Sequence, residues 1–141
     1  MQILKNLYQV GGDLNGITWD GVDTGYNDCN SYILKSTNGL IMFDCGCGDT
    51  LEQIFANMAY WDLNPEDIRY CVLTHPHLDH TGAGHLLKAK TDAKFIAGAE
   101  TADAVAAGDN RCCPYLYHKT FTPFTVDQVV SDGQSLTILD L

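Results

Sequence analysis

Three histidines and an aspartate fall within the six residues His75-Pro76-His77-Leu78-Asp79-His80. The chain holds 5 histidines in all, so most of them are gathered here. Imidazole nitrogen and carboxylate oxygen are donors that zinc, iron and manganese accept. The cluster therefore reads as a metal site. Pro76 removes a backbone donor and disfavours helical geometry at His75, so extended chain is expected there. In extended chain, residues two apart face the same side, and His75 and His77 can grip one metal together. Asp79 and His80 follow a turn and point back toward a neighbouring site. Two metals about 4 Å apart could share a hydroxide, and zinc lowers the pKa of bound water to about 7. Asp79 could hold a metal and also take the proton from that water.

The apolar run Tyr70-Cys71-Val72-Leu73 precedes the cluster, and a strand over Ile68 to Thr74 is expected to deliver it. Further strands are expected over Leu7 to Val10, Cys29 to Lys35, Leu40 to Phe43 and Ala93 to Ala97. Thr37-Asn38-Gly39 signals a tight hairpin. Residues 13 to 28 are rich in Gly, Asp and Asn and read as a loop or short hairpin. Leu51, Ile54, Phe55 and Met58 follow helical spacing, which predicts a helix over Asp49 to Trp61. Asp49 is the expected N-cap, Glu52 completes a capping-box pattern, and Asn64-Pro65 stops the helix. Gly82 or Gly84 opens a short helix through Lys90, and Ala99 to Ala107 forms a helix closed by Gly108. Val129-Val130 and Leu136 to Leu139 predict a final hairpin around Asp132-Gly133. Strands alternating with helices indicate an α/β domain.

With 141 residues and 45% hydrophobic composition, the chain suits one globular domain. A net charge of −10 and a pI near 4.5 argue against nucleic acid or an anionic membrane as partner. No stretch approaches the roughly 20 apolar residues of a membrane span. Residues 1 to 6 lack a basic segment followed by an apolar core, so no signal peptide is read and a cytoplasmic protein with reduced thiols is expected. Cys45-Gly46-Cys47 and Cys112-Cys113 lack zinc-knuckle spacing. Cys45 and Cys47 read as buried, inert thiols and Cys71 as core. His85 reads as a helix-surface residue or a support for the ligands. His118 reads as a loop residue near the substrate mouth, or simply exposed. The aromatics Tyr115, Tyr117, Phe121 and Phe124 could wall a pocket or cover the core.

The motif His75-Pro76-His77-Leu78-Asp79-His80 resembles the H-x-H-x-D-H signature of the metallo-β-lactamase fold superfamily. Asn30 to Leu34 looks like that family's early strand, and Asp44-Cys45-Gly46 stands where it usually has D-[TS]-G. Ile68 to Thr74 is similar to its strand before the motif, and Asp132-Gly133 to its later D-G turn. The resemblance implies an αββα sandwich with metals at one edge of two facing sheets. It implies His75 and His77 on one metal, and Asp79 and His80 on a second. It implies that Asp44 orients the motif loop, the kind of support metal ligands need. Zinc is the expected ion, two in a complete domain, with iron or manganese also suited to the donors.

The family's third histidine lies in a T-x-G-H-T segment one strand after the D-G turn, and a bridging aspartate and last histidine follow. None of these is present by Leu141. Residues 1–141 are therefore expected to be the N-terminal βα half of one such domain. The first sheet is expected to carry an exposed apolar face. Either the C-terminal half or a second copy of the chain would cover it. The implied activity is metal-dependent hydrolysis of a small carbonyl substrate, a thioester, lactone, β-lactam or related ester or amide. An iron-dependent oxidoreductase of the same fold, a phosphodiesterase and an inactive half-domain are the alternatives. The charge weakens the phosphodiesterase, and His77 weakens the flavodiiron branch.

Overall fold

Residues 1–12 and 28–141 are described by the computed structural model, so most of the loop expected over 13 to 28 lies outside the described residues. Among the described residues the apolar runs form seven strands: β1 (Gln2–Leu4), β2 (Leu7–Gln9), β3 (Tyr32–Ser36), β4 (Gly39–Phe43), β5 (Ile68–Val72), β6 (Lys94–Gly98) and β7 (Gln128–Val130). They pair in that order in a single sheet. From β1 to β4 the neighbours are antiparallel, and from β4 to β7 they are parallel. Four helices, α1 (Leu51–Tyr60), α2 (Leu78–Thr81), α3 (Gly84–Lys90) and α4 (Ala99–Ala107), fall in the connections between the parallel strands. This is the strand–helix alternation of an α/β domain.

One row of side chains shows where the core sits. Ile33, Met42, Cys71 and Phe95 are directly paired across β3, β4, β5 and β6. All four are completely buried, as are Met58 of α1, Leu87 of α3 and Val105 of α4. They belong to one continuous cluster, so the helices share a single face of the sheet. Each such burial contributes about 1.5–3 kcal/mol. The adjacent row, Tyr32, Phe43, Val72 and Ile96, faces the other way because side chains alternate along a strand. On that second face Tyr32, Phe43 and Val72 are only half-buried, whereas Ile41 and Ile96 are nearly inaccessible. The face is apolar as expected, though less open.

Several boundaries follow from local chemistry. Ser36 pairs with Gly39, so Thr37-Asn38 forms the two-residue hairpin loop. Gly108 closes α4 at φ 62°, a left-handed conformation that glycine adopts without penalty. The helix expected over Asp49 to Trp61 begins later, at Leu51, with Thr50 at the N-cap position. Asp49 does not cap it, because its carboxylate pairs with Lys119 Nζ at 2.5 Å. Glu52 likewise turns outward to Lys90 Nζ at 2.8 Å. Asn64-Pro65 does not itself end α1. It opens a separate 3-10 turn, Pro65–Asp67, with the Asn64 side chain accepting from Glu66 N–H.

The expected final hairpin does not form. The turn at Asp132-Gly133 is present, with Gly133 at φ 72°, but residues 136 to 139 form no strand. Val129 and Val130 instead pair with Ala97 and Gly98 in parallel. Beyond the turn the chain leads away from β7, and Thr37 Oγ1 donates to Asp140 Oδ2 at 2.5 Å, beside the β3–β4 loop.

Candidate metal centre

The motif sits at the carboxyl ends of β4 and β5, the position where open parallel sheets place their ligands. Asp44 follows β4 directly. Its N–H donates to Val72 O at 3.0 Å, and its φ of 53° then turns the chain out of the sheet. Aspartate is among the few non-glycine residues that tolerate this conformation. The carboxylate is nearly inaccessible, 4% exposed, and accepts three hydrogen bonds. Thr74 N–H reaches Oδ1 at 2.8 Å, Thr74 Oγ1 donates to Oδ2 at 2.7 Å, and His80 Nδ1 lies 2.8 Å from Oδ2.

These bonds set the imidazoles. A carboxylate only accepts, so His80 must carry its proton on Nδ1, which leaves the Nε2 lone pair facing the site. The Thr74 hydroxyl proton is spent on Asp44, so Oγ1 accepts from His75 Nδ1 at 3.1 Å. His75 Nε2 is thereby left with a lone pair as well. One buried carboxylate thus orients two rings, one directly and one through Thr74. Burial lowers the His80 pKa, but the Asp44 hydrogen bond and the charges of Asp44 and Asp79 outweigh it and hold the group above its ordinary value. Burial and the neighbouring His80 and His77 rings pull His75 below its ordinary value.

The structure brings His75, His77 and His80 together. The His75 ring centroid lies 3.9 Å from that of His80 and 4.7 Å from that of His77. His75 thus stands nearer to His80 than to the residue expected to share its metal. The turn expected before Asp79 is the first turn of α2, and exposed His77 is its N-cap residue. Asp79 Oδ2 lies 3.4 Å from His80 Nε2. Asp79 Oδ1 is buried with no hydrogen-bond partner among the described residues. A buried, unpartnered carboxylate oxygen is costly unless something positive meets it.

Among the described residues, no group of three or more His, Cys, Asp or Glu side chains is placed so as to hold a metal ion. The donor chemistry nonetheless suits a divalent ion. Three imidazoles are gathered, and the Nδ1 bonds of His75 and His80 leave Nε2 as the donor atom of each neutral ring. The Asp79 carboxylate lies 3.4 Å from His80 Nε2, with its other oxygen unpartnered among the described residues. His75, His77, Asp79 and His80 carry the donor types that such an ion accepts.

Three neighbours complete the surroundings; Tyr117 stood among the aromatics expected to wall a pocket or cover the core, whereas Asp28 and Lys119 escape sequence reasoning. Tyr117, half-buried at the end of the 3-10 turn Pro114–Tyr117, hydrogen-bonds Asp79; burial first, and that bond second, push its phenol above the ordinary value. Asp28 Oδ1 accepts from Cys29 N–H at 3.0 Å and Cys47 N–H at 2.9 Å, and Oδ2 accepts from the Thr50 hydroxyl. Lys119 bonds Asp49 and approaches Cys47 Sγ at 3.7 Å. Apart from the bond between Asp28 and adjacent Cys29, these contacts join residues far apart in the chain, and no local pattern marks them.

The remaining expectations divide. Cys45 and Cys71 are completely buried, whereas Cys47 is partly exposed. The Cys45 thiol is pushed well up by its neighbour Cys71 and by burial, as suits an inert group. His85 Nδ1 meets Gly82 O at 3.1 Å, and the side chain lines an open cleft of about 380 Å³ with Cys47, Asp49, Leu86 and Lys119. That cleft shares Leu78 and Gly82 with the motif, but none of the four donor residues lines it. His118 is exposed at φ 50°. Phe121 and Phe124 cover the core, while Tyr117 reaches the site and Tyr115 is exposed. No helix among the described residues is long and apolar enough to cross a membrane.

Comparison with known proteins agrees with this geometry. The model of the metallo-beta-lactamase superfamily matches residues 24–130. A metallo-beta-lactamase from Legionella gormanii, FEZ-1, is 25% identical, with a TM-score of 0.79 over 98% of this chain and 48% of its own. BJP-1, a subclass B3 metallo-beta-lactamase of Bradyrhizobium japonicum, is 27% identical, with a TM-score of 0.79 over 99% of this chain and 48% of its own. A metallo-beta-lactamase of Cronobacter sakazakii with a HARLDQ motif is 28% identical, with a TM-score of 0.78 over 98% of this chain and 50% of its own. The chain spans about half the length of these structures, and its sheet with one helical face corresponds to a βα half of their fold. With its motif at the strand ends and its match over most of its length, the chain belongs to the metallo-beta-lactamase superfamily.

Proposed function

We propose that this chain is the N-terminal part of a metal-dependent hydrolase that adds water to a carbonyl carbon. The substrate class is a thioester, lactone, β-lactam or related ester or amide. The observation that carries the reading is Asp79: its Oδ1 is buried without a hydrogen-bond partner among the described residues, and its Oδ2 lies 3.4 Å from His80 Nε2. His75, His77, Asp79 and His80 would hold the ion, and zinc suits these donors. Zinc bound there lowers the pKa of a water and polarises a carbonyl oxygen.

The chain's own groups do the positioning. Asp44 and Thr74 keep the His75 and His80 protons on Nδ1, away from the site. The Tyr117 hydroxyl steadies the Asp79 carboxylate. Asp79 Oδ1 is the acceptor available for a proton leaving the attacking water.

The test is Asp79→Ala in the full chain, with bound zinc and iron measured by mass spectrometry and hydrolysis followed on a thioester, a lactone and a β-lactam. The reading expects zinc in the parent protein, together with loss of bound metal and of turnover in the variant. Unchanged turnover in Asp79→Ala would refute the role of Asp79. Redox-active iron in place of zinc would move the protein to the oxidoreductase branch.

A further inference from the structure

We propose that Asp28 is a positioning residue for the metal centre, acting through the loop between β4 and α1. The inference rests on reading the histidine cluster as a metal site. The chain of contacts has three links. First, Asp28 holds the loop: its carboxylate accepts from Cys47 N–H at 2.9 Å and from the Thr50 hydroxyl at the head of α1. Second, that loop holds the motif: Cys45 N–H donates to His80 O at 2.8 Å, and Ala83 N–H donates to Gly46 O at 2.9 Å. Third, the motif helix α2 carries Asp79 and His80.

The fit along this path is close enough to transmit a displacement. A Cβ at Gly46, where φ is 80°, would stand 2.7 Å from Asp28 Oδ2. A Cβ at Gly82 would stand 2.6 Å from Cys47 O. Both are below any normal contact, so carboxylate, loop and helix leave one another no slack. Among the described residues, the hydrogen bonds of Asp28 go to Cys29, Cys47 and Thr50 and to none of the four donor residues. The Asp28 charge is also felt at Asp79 and His80, so its action through the loop, on where those two side chains point, has to be separated from its charge. Groups that orient metal ligands typically govern 10–100-fold in metal affinity.

Asparagine at this position separates a hydrogen-bonding role from a charge role. Its Oδ1 keeps both N–H donors, and its Nδ2 donates to Thr50 Oγ1 where the hydroxyl formerly donated. The experiment compares the full chain with Asp28→Ala, Asp28→Asn and Thr50→Val. It reads amide hydrogen exchange without metal, and cobalt affinity and absorption spectrum on titration. Asp28→Ala is expected to speed exchange at the Cys45, Cys47 and Ala83 amides about tenfold or more. It should also weaken cobalt binding about 10–100-fold with an altered spectrum. Asp28→Asn is expected to restore both. Thr50→Val keeps the side-chain shape, should speed exchange at Cys47, and decides the matter where Asp28→Ala does not fold. Unchanged exchange at Cys45 and Ala83 in Asp28→Ala, or at Cys47 in Thr50→Val where that variant decides, overturns the proposal. So does an Asp28→Asn variant as damaged as Asp28→Ala. A parent chain that takes up no cobalt, yet shows the exchange pattern, removes the metal reading and leaves the positioning role of Asp28 supported.

Discussion

Replacing Asp44 by asparagine should cost metal affinity while leaving the fold almost untouched. The carboxylate accepts from Thr74 N–H, Thr74 Oγ1 and His80 Nδ1 at 2.7–2.8 Å. Asparagine has the same shape, and its Oδ1 can keep the Thr74 N–H. Its Nδ2, however, now presents two protons to groups that were themselves donors. His80 can satisfy it only by moving its own proton from Nδ1 to Nε2, and the Thr74 hydroxyl must rotate, which releases His75. An Nε2–H cannot ligate a metal, so the affected rings lose their donor atom with no change in packing. Loss of such an orienting partner costs about 10–100-fold in metal affinity, or about 1.4–2.8 kcal/mol at 1.4 kcal/mol per tenfold. Asp44→Ala should behave differently, because it removes the acceptor of all three hydrogen bonds, which are part-buried, and so lowers stability as well, by up to about 1 kcal/mol for each. The assay is zinc competition against a chromophoric chelator, with imidazole tautomers read by nitrogen NMR and stability by denaturant unfolding. If Asp44→Asn binds zinc as tightly as the parent, or if His80 keeps its Nδ1 proton in the variant, the tautomer argument fails.

Two further outcomes test the frame around the site. Gly82→Ala places a Cβ 2.6 Å from both Cys47 O and Leu78 O, two backbone atoms that cannot swing aside. It should destabilise the chain by about 1–3 kcal/mol, and equal denaturation midpoints for the two proteins would contradict the packing described. Asp127 receives Lys88 Nζ at 2.8 Å and Phe95 N–H at 2.7 Å. Burial raises its pKa, but these two partners outweigh that and hold the carboxyl below its ordinary 3.8. A depressed carboxylate pKa contributes stability above the ordinary value, and that contribution is lost as pH falls through the lower folded value. Asp127 is substantially solvent-exposed, so screening limits the contribution to under about 1 kcal/mol. Asp127→Asn should therefore lower stability at pH 6 and converge with the parent below the carboxylate range. A stability difference that stays constant with pH would refute the assignment.

What could be read from the sequence was what depended on neighbours in the chain. The motif is contiguous, so its donors were visible without a fold, and the strand that delivers it announced itself by an apolar run. Asp44 was reached by resemblance, but its control of His75 through Thr74 needed coordinates. Tyr117 was visible as a possible pocket wall but its bond to Asp79 was not, and Asp28 carries no local pattern. The helix cap was misread for a related reason. Asp49 and Glu52 have the spacing of a cap, yet Lys119 and Lys90 draw them outward, and neither lysine is near in sequence. The terminal hairpin failed because a turn signal at Asp132-Gly133 specifies a reversal and not a partner. β7 satisfies its backbone against β6 instead.

Contacts that orient His75, Asp79 and His80 lie within this half of the fold. Asp44 fixes two imidazoles from the end of β4, Tyr117 steadies Asp79 from the far loop, and the β4–α1 loop is bonded to the helix that carries Asp79 and His80. Each of these contacts lies inside the chain. The donors are therefore ordered before any ion arrives, and the entropy of arranging them is met by folding and not by binding. Whatever else completes the site has only to contribute donor atoms and substrate walls. On that division of labour, metal affinity in this chain is limited by the number of ligands and not by their disorder. An added external donor such as imidazole should therefore strengthen zinc binding by the parent chain, and should do so far less once Asp44→Asn has turned the Nε2 lone pairs away.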